Sequence, residues 1–151
     1  MRTSVFTTVL TAFMIWGCGG AQQRAETPET NDSVLLKQEE VHGAEVKEIA
    51  LSNPLDQTMI DEGQKIYDMK CSSCHKLTEE RLVGPGWAGV TKRRQPVWII
   101  NMITNVDMML AQDAEAQKLL EQCLVRMPNQ NINEKEARSI IEMMRKNDGE
   151  K

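Results

Sequence analysis

The stretch that decides the fold is Cys71-Ser72-Ser73-Cys74-His75, in which two thiols stand three residues apart and an imidazole follows the second. A thioredoxin-like redox pair is not favoured, because such a pair lies near a βαβ pattern that the flanking sequence lacks. A zinc site needs four ligands, and Cys123, the other cysteine of this region, brings no second ligand at metal spacing. A disulfide between Cys71 and Cys74 would leave the histidine without a function.

The same residues match C-x-x-C-H, the attachment motif of c-type haem. Thiols at this spacing reach the two vinyl groups of one haem, so Cys71 and Cys74 are predicted to form the thioethers. The histidine that follows comes under the iron, which makes His75 the predicted proximal ligand. The motif therefore predicts one covalently bound haem c, with its iron, as the cofactor.

The composition of the whole chain limits its class. The 151 residues are 40% hydrophobic and 26% charged, which suits one soluble globular domain with a tail and is too polar for a multispan membrane protein. The net charge of −4 argues against a general nucleic-acid binder, which is normally basic. Four cysteines are too few for a disulfide-dense scaffold of this length.

Residues 1–17 are predicted to be an export signal. Arg2 gives a short positive region, and residues 5–16 form an apolar run, interrupted only by Thr, that is short for a membrane span. Ile15-Trp16-Gly17-Cys18 resembles a bacterial lipoprotein box, which implies cleavage before Cys18 and its lipidation. A simple secretory signal and an uncut anchor are the alternatives. All three place the domain outside the cytoplasm, in the periplasm or on the outer cell surface, and the lipid would attach it to a membrane.

Residues 18–54 are predicted to be a flexible polar tether. Gln, Glu, Thr and Pro dominate its first half, and such a segment buries too little apolar surface to offset its ordering entropy. A few apolar residues, among them Val46 and Ile49, are the exceptions and are compatible with a short helix packed on the domain. Asn53-Pro54 is a turn signal. It separates the tether from a domain at 55–147, which a tail at 148–151 follows.

Residues 55–147 resemble the class I c-type cytochromes, the small single-haem domains of the mitochondrial and bacterial cytochrome c type. Besides the haem motif, three features stand in the order of that family: Gly63 with Tyr67 four residues later, Val83-Gly84-Pro85-Gly86 after the motif, and Arg126-Met127-Pro128-Asn129 before an amphipathic segment.

The resemblance implies a role for each feature. Gly63 is expected to permit close contact between the first and last helices. The Pro85 carbonyl is expected to accept a hydrogen bond from Nδ1–H of His75, which orients the imidazole and raises its basicity. Met127 is expected to be the distal iron ligand, a soft thioether that favours ferrous iron and raises the reduction potential. An open or different sixth site is the alternative.

Other residues are expected around the haem. Met127 stands before a proline in an irregular loop, whereas seven other methionines are expected in the core: Met59, Met69, Met102, Met108, Met109, Met143 and Met144. The resemblance implies that Trp87 and Trp98 flank the ring. Arg93, within a short basic run, is expected to pair with a haem propionate or to belong to a docking patch.

Helix signals predict an all-α domain of about four helices wrapped around one haem, and no alternating strand pattern competes. The signals are Asp56 or Thr58 as the first cap, Pro96 in the first turn of a second helix, Asp113 opening a third, and Asn133 with Glu136 as a capping box for the last. Cys123 falls on the inward face of the third helix as a small apolar residue; a redox or dimer-linking role is the alternative.

These features together predict an exported, lipid-anchored carrier of one electron between redox proteins of a respiratory chain, with no nucleic acid among its partners and no chemical conversion of its own. A haem enzyme or sensor with an open distal site is one alternative, and CO binding to the native protein would favour it. A fixed subunit of a terminal oxidase or a nitrogen-oxide reductase is the other, and stable co-purification with further chains would favour it.

Overall fold

The computed structural model describes residues 43–151. This part of the chain contains six α-helices: α1 (Gln57–Ile66), α2 (Val90–Arg93), α3 (Pro96–Thr104), α4 (Val106–Gln112), α5 (Ala114–Cys123) and α6 (Glu134–Asn147). A π-helical turn, Tyr67–Cys71, follows α1 directly. The described residues form no strand beyond one isolated bridge between His75 and Arg81. The all-α prediction is therefore confirmed.

The four predicted helices correspond to α1, α3, α5 and α6, and their start signals act as expected. Asp56 accepts hydrogen bonds from the backbone N–H groups of Thr58 and Met59, so Asp56 and not Thr58 is the first cap. Pro96 lies in the first turn of α3, Asp113 caps α5, and Asn133 with Glu136 forms the predicted capping box of α6. The two additional helices, α2 and α4, have 4 and 7 residues. Such lengths are too short to show a helical period in the sequence.

The first and last helices form the main packing contact of the domain. Gly63 of α1 lies against the backbone of Ser139 in α6, where a Cβ would stand 2.1 Å from the Ser139 carbonyl oxygen. Only a glycine allows the two helices to come this close. The core beside this contact combines residues of α1, α3 and α6 with Ile132 of the preceding loop: Ile66, Ile99, Ile100, Ile103, Ile140, Ile141, Met143 and Met144 are buried there.

The part of the predicted tether that the structure describes lies against the domain and contains no helix. The backbone N–H of Val46 donates to the side-chain oxygen of Asn101 in α3, and the Val46 carbonyl accepts from the amide nitrogen of Asn101, both at 2.8 Å. Val46 and Ile49 pack on the core. Close packing therefore begins before residue 54. Cys18 and the predicted signal lie outside the described residues.

The predicted tail also contacts the domain. Asp148 is buried, and its carboxylate accepts hydrogen bonds from the backbone N–H groups of Gly89 and Thr91 and from the Thr91 hydroxyl. These bonds attach the end of α6 to α2. Across residues 43–151, no helix combines the length and the apolar character that a bilayer span requires.

Candidate haem site

A cavity of about 200 Å³ lies between the haem-motif segment, α3, α5 and the loop that precedes α6. It brings together most of the residues that the sequence singles out: Cys74, His75, Pro85, Trp87, Arg93, Trp98 and Met127 all line it. Cys71 is buried at the end of the π-helical turn, three residues before Cys74. Of the predicted site residues, Cys18 alone lies outside the described part of the chain.

The π-helical turn and the bend after it position the attachment motif. The backbone N–H groups of Cys74 and His75 both donate to the Cys71 carbonyl oxygen, at 3.0 and 2.9 Å. The Tyr67 hydroxyl donates to the carbonyl oxygen of His75 at 2.7 Å. These bonds bring both thiols and the imidazole to one short bend. Cys71 and Cys74 form no disulfide with each other or with Cys123, the third cysteine of residues 43–151.

Burial shifts the pKa values of two residues of the attachment motif, Cys71 and His75. Desolvation raises the pKa of the Cys71 thiol to about 11, more than the charge of Lys70 lowers it. The thiol is therefore neutral at ordinary pH and suits an apolar environment. Desolvation also lowers the pKa of His75, against the opposing effect of its hydrogen bond to Pro85. The neutral imidazole is the form that binds a metal ion.

The orientation of His75 follows the arrangement that the resemblance implies. Its Nδ1 lies 2.9 Å from the Pro85 carbonyl oxygen, and because a carbonyl only accepts, Nδ1–H is the donor. This leaves Nε2 as the nitrogen for a metal ion. Gly84 makes room for the ring, since a Cβ at Gly84 would lie 2.3 Å from Cε1 of His75. Trp87 is buried beside it, with the two ring centres 5.1 Å apart.

Met127 reaches the same cavity from the loop between α5 and α6. This loop is irregular, as the Met-Pro sequence indicates, and Met127 is half-buried in it. The neighbouring Arg126 forms an ion pair with Asp107 of α4. Two of the competing methionines, Met102 of α3 and Met144 of α6, also line the cavity. The position of a methionine in the cavity therefore does not by itself distinguish Met127 from these two. The expectation of a core position was wrong for Met69, which is 74% exposed.

Trp98 and the arginine side chains at the cavity have polar partners within the protein. Trp98 donates from Nε1 to Asp113 at 3.1 Å, and the Arg94 guanidinium lies 4.7 Å above its ring centre. Arg93 donates to the carbonyl oxygen of Ala88. Arg94, which the sequence did not single out, lines the cavity as well and pairs with Glu115. The position of Arg94 next to Arg93 in the basic run is the sequence feature that could have identified it.

Cys123 lines the cavity from the end of α5 and is half-buried. It carries a free thiol, as do the two motif cysteines. In residues 43–151, no group of three or more His, Cys, Asp or Glu side chains is placed to hold a metal ion. A structural zinc site in this part of the chain is therefore not supported.

The residues around the cavity fit haem c. Most of the side chains that line it are apolar, as a flat apolar macrocycle requires, and three lining arginines suit the haem carboxylates: Arg93, Arg94 and Arg126. The Cys74 thiol and the imidazole of His75 line it, and the buried Cys71 precedes Cys74 by three residues, the spacing that the attachment chemistry needs.

The comparisons with known proteins agree with this site. The sequence profile of the family Cytochrome c matches residues 60–148. Cytochrome c from Rhodothermus marinus is 31% identical, with a TM-score of 0.66 over 68% of this chain and 88% of that one. An engineered form of it, Rma TDE, is 30% identical, with a TM-score of 0.65 over 68% of this chain and 89% of that one.

The same engineered cytochrome bound to a carbene intermediate is 30% identical and has a TM-score of 0.62 over 68% of this chain and 88% of that one. No curated protein matches the chain. The profile match covers more than half of the chain, and the solved structures share its helical fold. The chain therefore belongs to the cytochrome c family, whose cofactor is a covalently bound haem c with its iron.

Proposed function

We propose that this protein is a one-electron carrier in which His75 and Met127 are the axial ligands of the haem iron and Cys71 and Cys74 form the thioethers. Haem-based electron transfer is the function of the family. The observation that carries the proposal is the cavity, which has His75 on the attachment bend and, on the irregular loop before α6, Met127, whereas the other two lining methionines belong to helices.

The protein groups at this site have separate tasks. Haem c supplies an iron that alternates between the ferric and ferrous states. Pro85 accepts the Nδ1–H of His75 and thereby holds the imidazole in one tautomer and raises its basicity. Met127 supplies a neutral, soft sulfur that favours the ferrous state and raises the reduction potential. The buried Trp87 keeps water away from His75.

We further propose that the partners are redox proteins of a respiratory chain that meet this protein in brief encounters. Weak electron-transfer complexes use small interfaces, which suits a domain of this size. No substrate is converted in such an exchange, so the protein acts as a carrier and not as an enzyme.

The proposed location is outside the cytoplasm, in the periplasm or on the outer cell surface, with the domain anchored to a membrane by a lipid. Cytochrome c family proteins are typically exported, and the N-terminal sequence fits an export signal with lipidation at Cys18. Mass spectrometry of the mature protein tests this directly. A lipidated N-terminal cysteine is expected in the native protein, and Cys18→Ala should release the domain from the membrane fraction. Release of the unaltered protein without lipid would contradict the anchor.

The ligand assignment is tested by spectroscopy and CO binding on the purified holoprotein. A weak far-red sulfur-to-iron band in the oxidised state and only slow CO binding in the reduced state are expected, because CO would bind only when Met127 has left the iron. Met127→Ala should abolish the band, admit CO and lower the reduction potential. Met102→Ala is the matched control, because it removes another methionine from the same cavity and should retain the far-red band and the slow CO binding.

The outcomes separate the alternatives. Rapid CO binding to the unaltered protein, as fast as to Met127→Ala, would indicate an open sixth site and favour a haem enzyme or a sensor. An unchanged potential in Met127→Ala would remove Met127 from its proposed role. Stable co-purification with other chains would favour a fixed subunit of a larger oxidoreductase over a mobile carrier.

A further inference from the structure

Arg81 connects the segment that begins at His75 to the end of α5. Its backbone pairs with that of His75 in the isolated bridge. Its guanidinium donates from Nη1 to the Gln122 carbonyl oxygen and from Nη2 to the Cys123 carbonyl oxygen, each at 3.0 Å. Arg81 is not among the residues that line the cavity. It therefore acts on the haem site only through the chain segments that it joins.

The oxygens that Arg81 binds belong to the last turn of α5, where carbonyl groups have no partner within the helix. α5 has no basic side chain in its own last turn, and the partial negative charge at a helix C-terminus favours a cation there. Arg81 supplies this cation from 41 residues earlier in the sequence. The helix then ends at Leu124 with a left-handed φ of 57°, and the chain enters the loop that carries Met127.

This loop has few interactions of its own. Within the described part of the chain, no backbone–backbone hydrogen bond involves residues 125–132. Near its far end, the Lys70 ammonium donates to the Gln130 carbonyl oxygen at 3.3 Å. The position of Met127 therefore depends on side-chain contacts, among them the ion pair of its neighbour Arg126 with Asp107, and on the point at which α5 ends.

We propose that Arg81 is a positioning residue that holds the Met127 loop closed over the cavity. It links the residue that carries the proximal imidazole to the helix end from which the distal loop departs, so that both sides of the site keep a fixed separation. The inference rests on the proposed ligation by Met127 and extends it. Removal of the guanidinium would free the end of α5, and Met127 would be held less firmly at the position from which it would bind the iron.

The test uses the holoprotein with Arg81→Gln and carbon monoxide as the probe. CO binds the reduced iron only after Met127 has left it. We expect the CO-binding rate constant to rise about tenfold. This factor corresponds to the net free energy of one or two intramolecular hydrogen bonds, which Arg81→Gln removes from the end of α5. The far-red band of the oxidised protein should weaken as well. Arg138→Gln, which removes an arginine paired with Glu134 on α6, is the matched control and should change neither property.

A double variant tests whether Arg81 acts through Met127. In the Met127→Ala background, adding Arg81→Gln should alter neither the CO-binding rate nor the reduction potential. A further change of either would overturn the proposal, because Arg81 would then act on the haem or its solvation directly. Arg81→Lys retains the cation and part of the donor set, and an intermediate CO-binding rate is expected. This variant also carries the test if Arg81→Gln does not accumulate as holoprotein.

The two proposals fail in distinguishable ways. If Met127→Ala has the same spectrum as the unaltered protein, the ligand assignment is wrong and the role of Arg81 falls with it. If Met127→Ala changes the spectrum while Arg81→Gln and Arg81→Lys leave the band and the CO-binding rate unchanged, only the role of Arg81 is overturned.

Discussion

The Cα of Gly63 in α1 packs on the backbone of Ser139 in α6, and a Cβ at Gly63 would lie 2.1 Å from the Ser139 carbonyl oxygen. A backbone atom cannot rotate away as a side chain does, so Gly63→Ala must push the two helices apart. We expect a loss of about 2 kcal/mol in the free energy of unfolding, which exceeds the gain of at most about 1 kcal/mol from the better helix former.

Chemical denaturation of the holoprotein, followed by far-UV circular dichroism, measures this loss. Lys65→Ala alters an exposed side chain of the same helix and should change stability by less than about 0.5 kcal/mol. Equal or greater stability of Gly63→Ala would show that the helix contact is looser than the structure indicates.

Gly84 gives a second prediction, at the imidazole itself. A Cβ at Gly84 would lie 2.3 Å from Cε1 of His75, so Gly84→Ala must displace the ring and strain its bond to Pro85. Loss of the hydrogen-bond partner of a metal-binding histidine typically lowers the metal affinity about 10- to 100-fold. We expect a fraction of the haem to become high-spin and five-coordinate, visible in the absorption spectrum. Val83→Ala, beside it and partly exposed, should retain the low-spin spectrum.

Local signals in the sequence predicted much of this fold. A capping side chain reaches backbone groups two or three residues away, so Asp56, Asp113 and Asn133 were identifiable without any tertiary information. The contact between His75 and Pro85 followed from a family resemblance, because no rule of periodicity connects two residues that are ten positions apart.

The contacts that could not be predicted join residues distant in sequence. Asn101 pairs with the backbone of Val46 across 55 positions, and Arg81 reaches Cys123 across 42. Asn101 lies in an apolar helix and Arg81 in a polar loop. No local sequence pattern around either residue indicates its partner. Asp148 was predicted to belong to a tail for the same reason, since its partners Gly89 and Thr91 lie at the start of α2, 59 and 57 positions earlier.

Asp148 predicts a pH dependence of stability. Burial opposes its ionisation, but hydrogen bonds from Thr91 and Gly89 and the charge of Lys92 together hold the pKa of this carboxyl below its usual range. A carboxyl with a lowered pKa in the folded state stabilises that state above its unfolded pKa, about 3.9. This contribution is lost as the pH falls through the lower folded-state pKa.

The variant Asp148→Asn tests this dependence. Urea unfolding should show it less stable than the unaltered protein by about 1 to 3 kcal/mol at pH 7, because charge-assisted hydrogen bonds are replaced by weaker ones. The difference should shrink as the pH is lowered below about 4. A difference that stays constant across this range would mean that the Asp148 charge contributes nothing.

The ion pair between Glu142 and Arg145 gives the last prediction. It lies within α6 at 2.7 Å, with the two side chains only 2% and 12% exposed. Glu142 also accepts from the backbone N–H of Ser52, whose carbonyl oxygen accepts from Arg145, so the pair fixes the segment before α1. Arg145→Met leaves a buried carboxylate without its cation, which we expect to cost about 3 to 5 kcal/mol of stability.

A double-mutant cycle separates the pair from its environment. Glu142→Gln with Arg145→Met should cost less than the sum of the two single changes, because the second change removes the charge that the first left unpaired. Arg138→Met breaks a more exposed pair in the same helix, with Glu134, and should cost at most about 1 kcal/mol. If Arg145→Met cost no more than this control, solvent would reach Glu142 and the pair would have no specific role in holding residues 52–56 against α6.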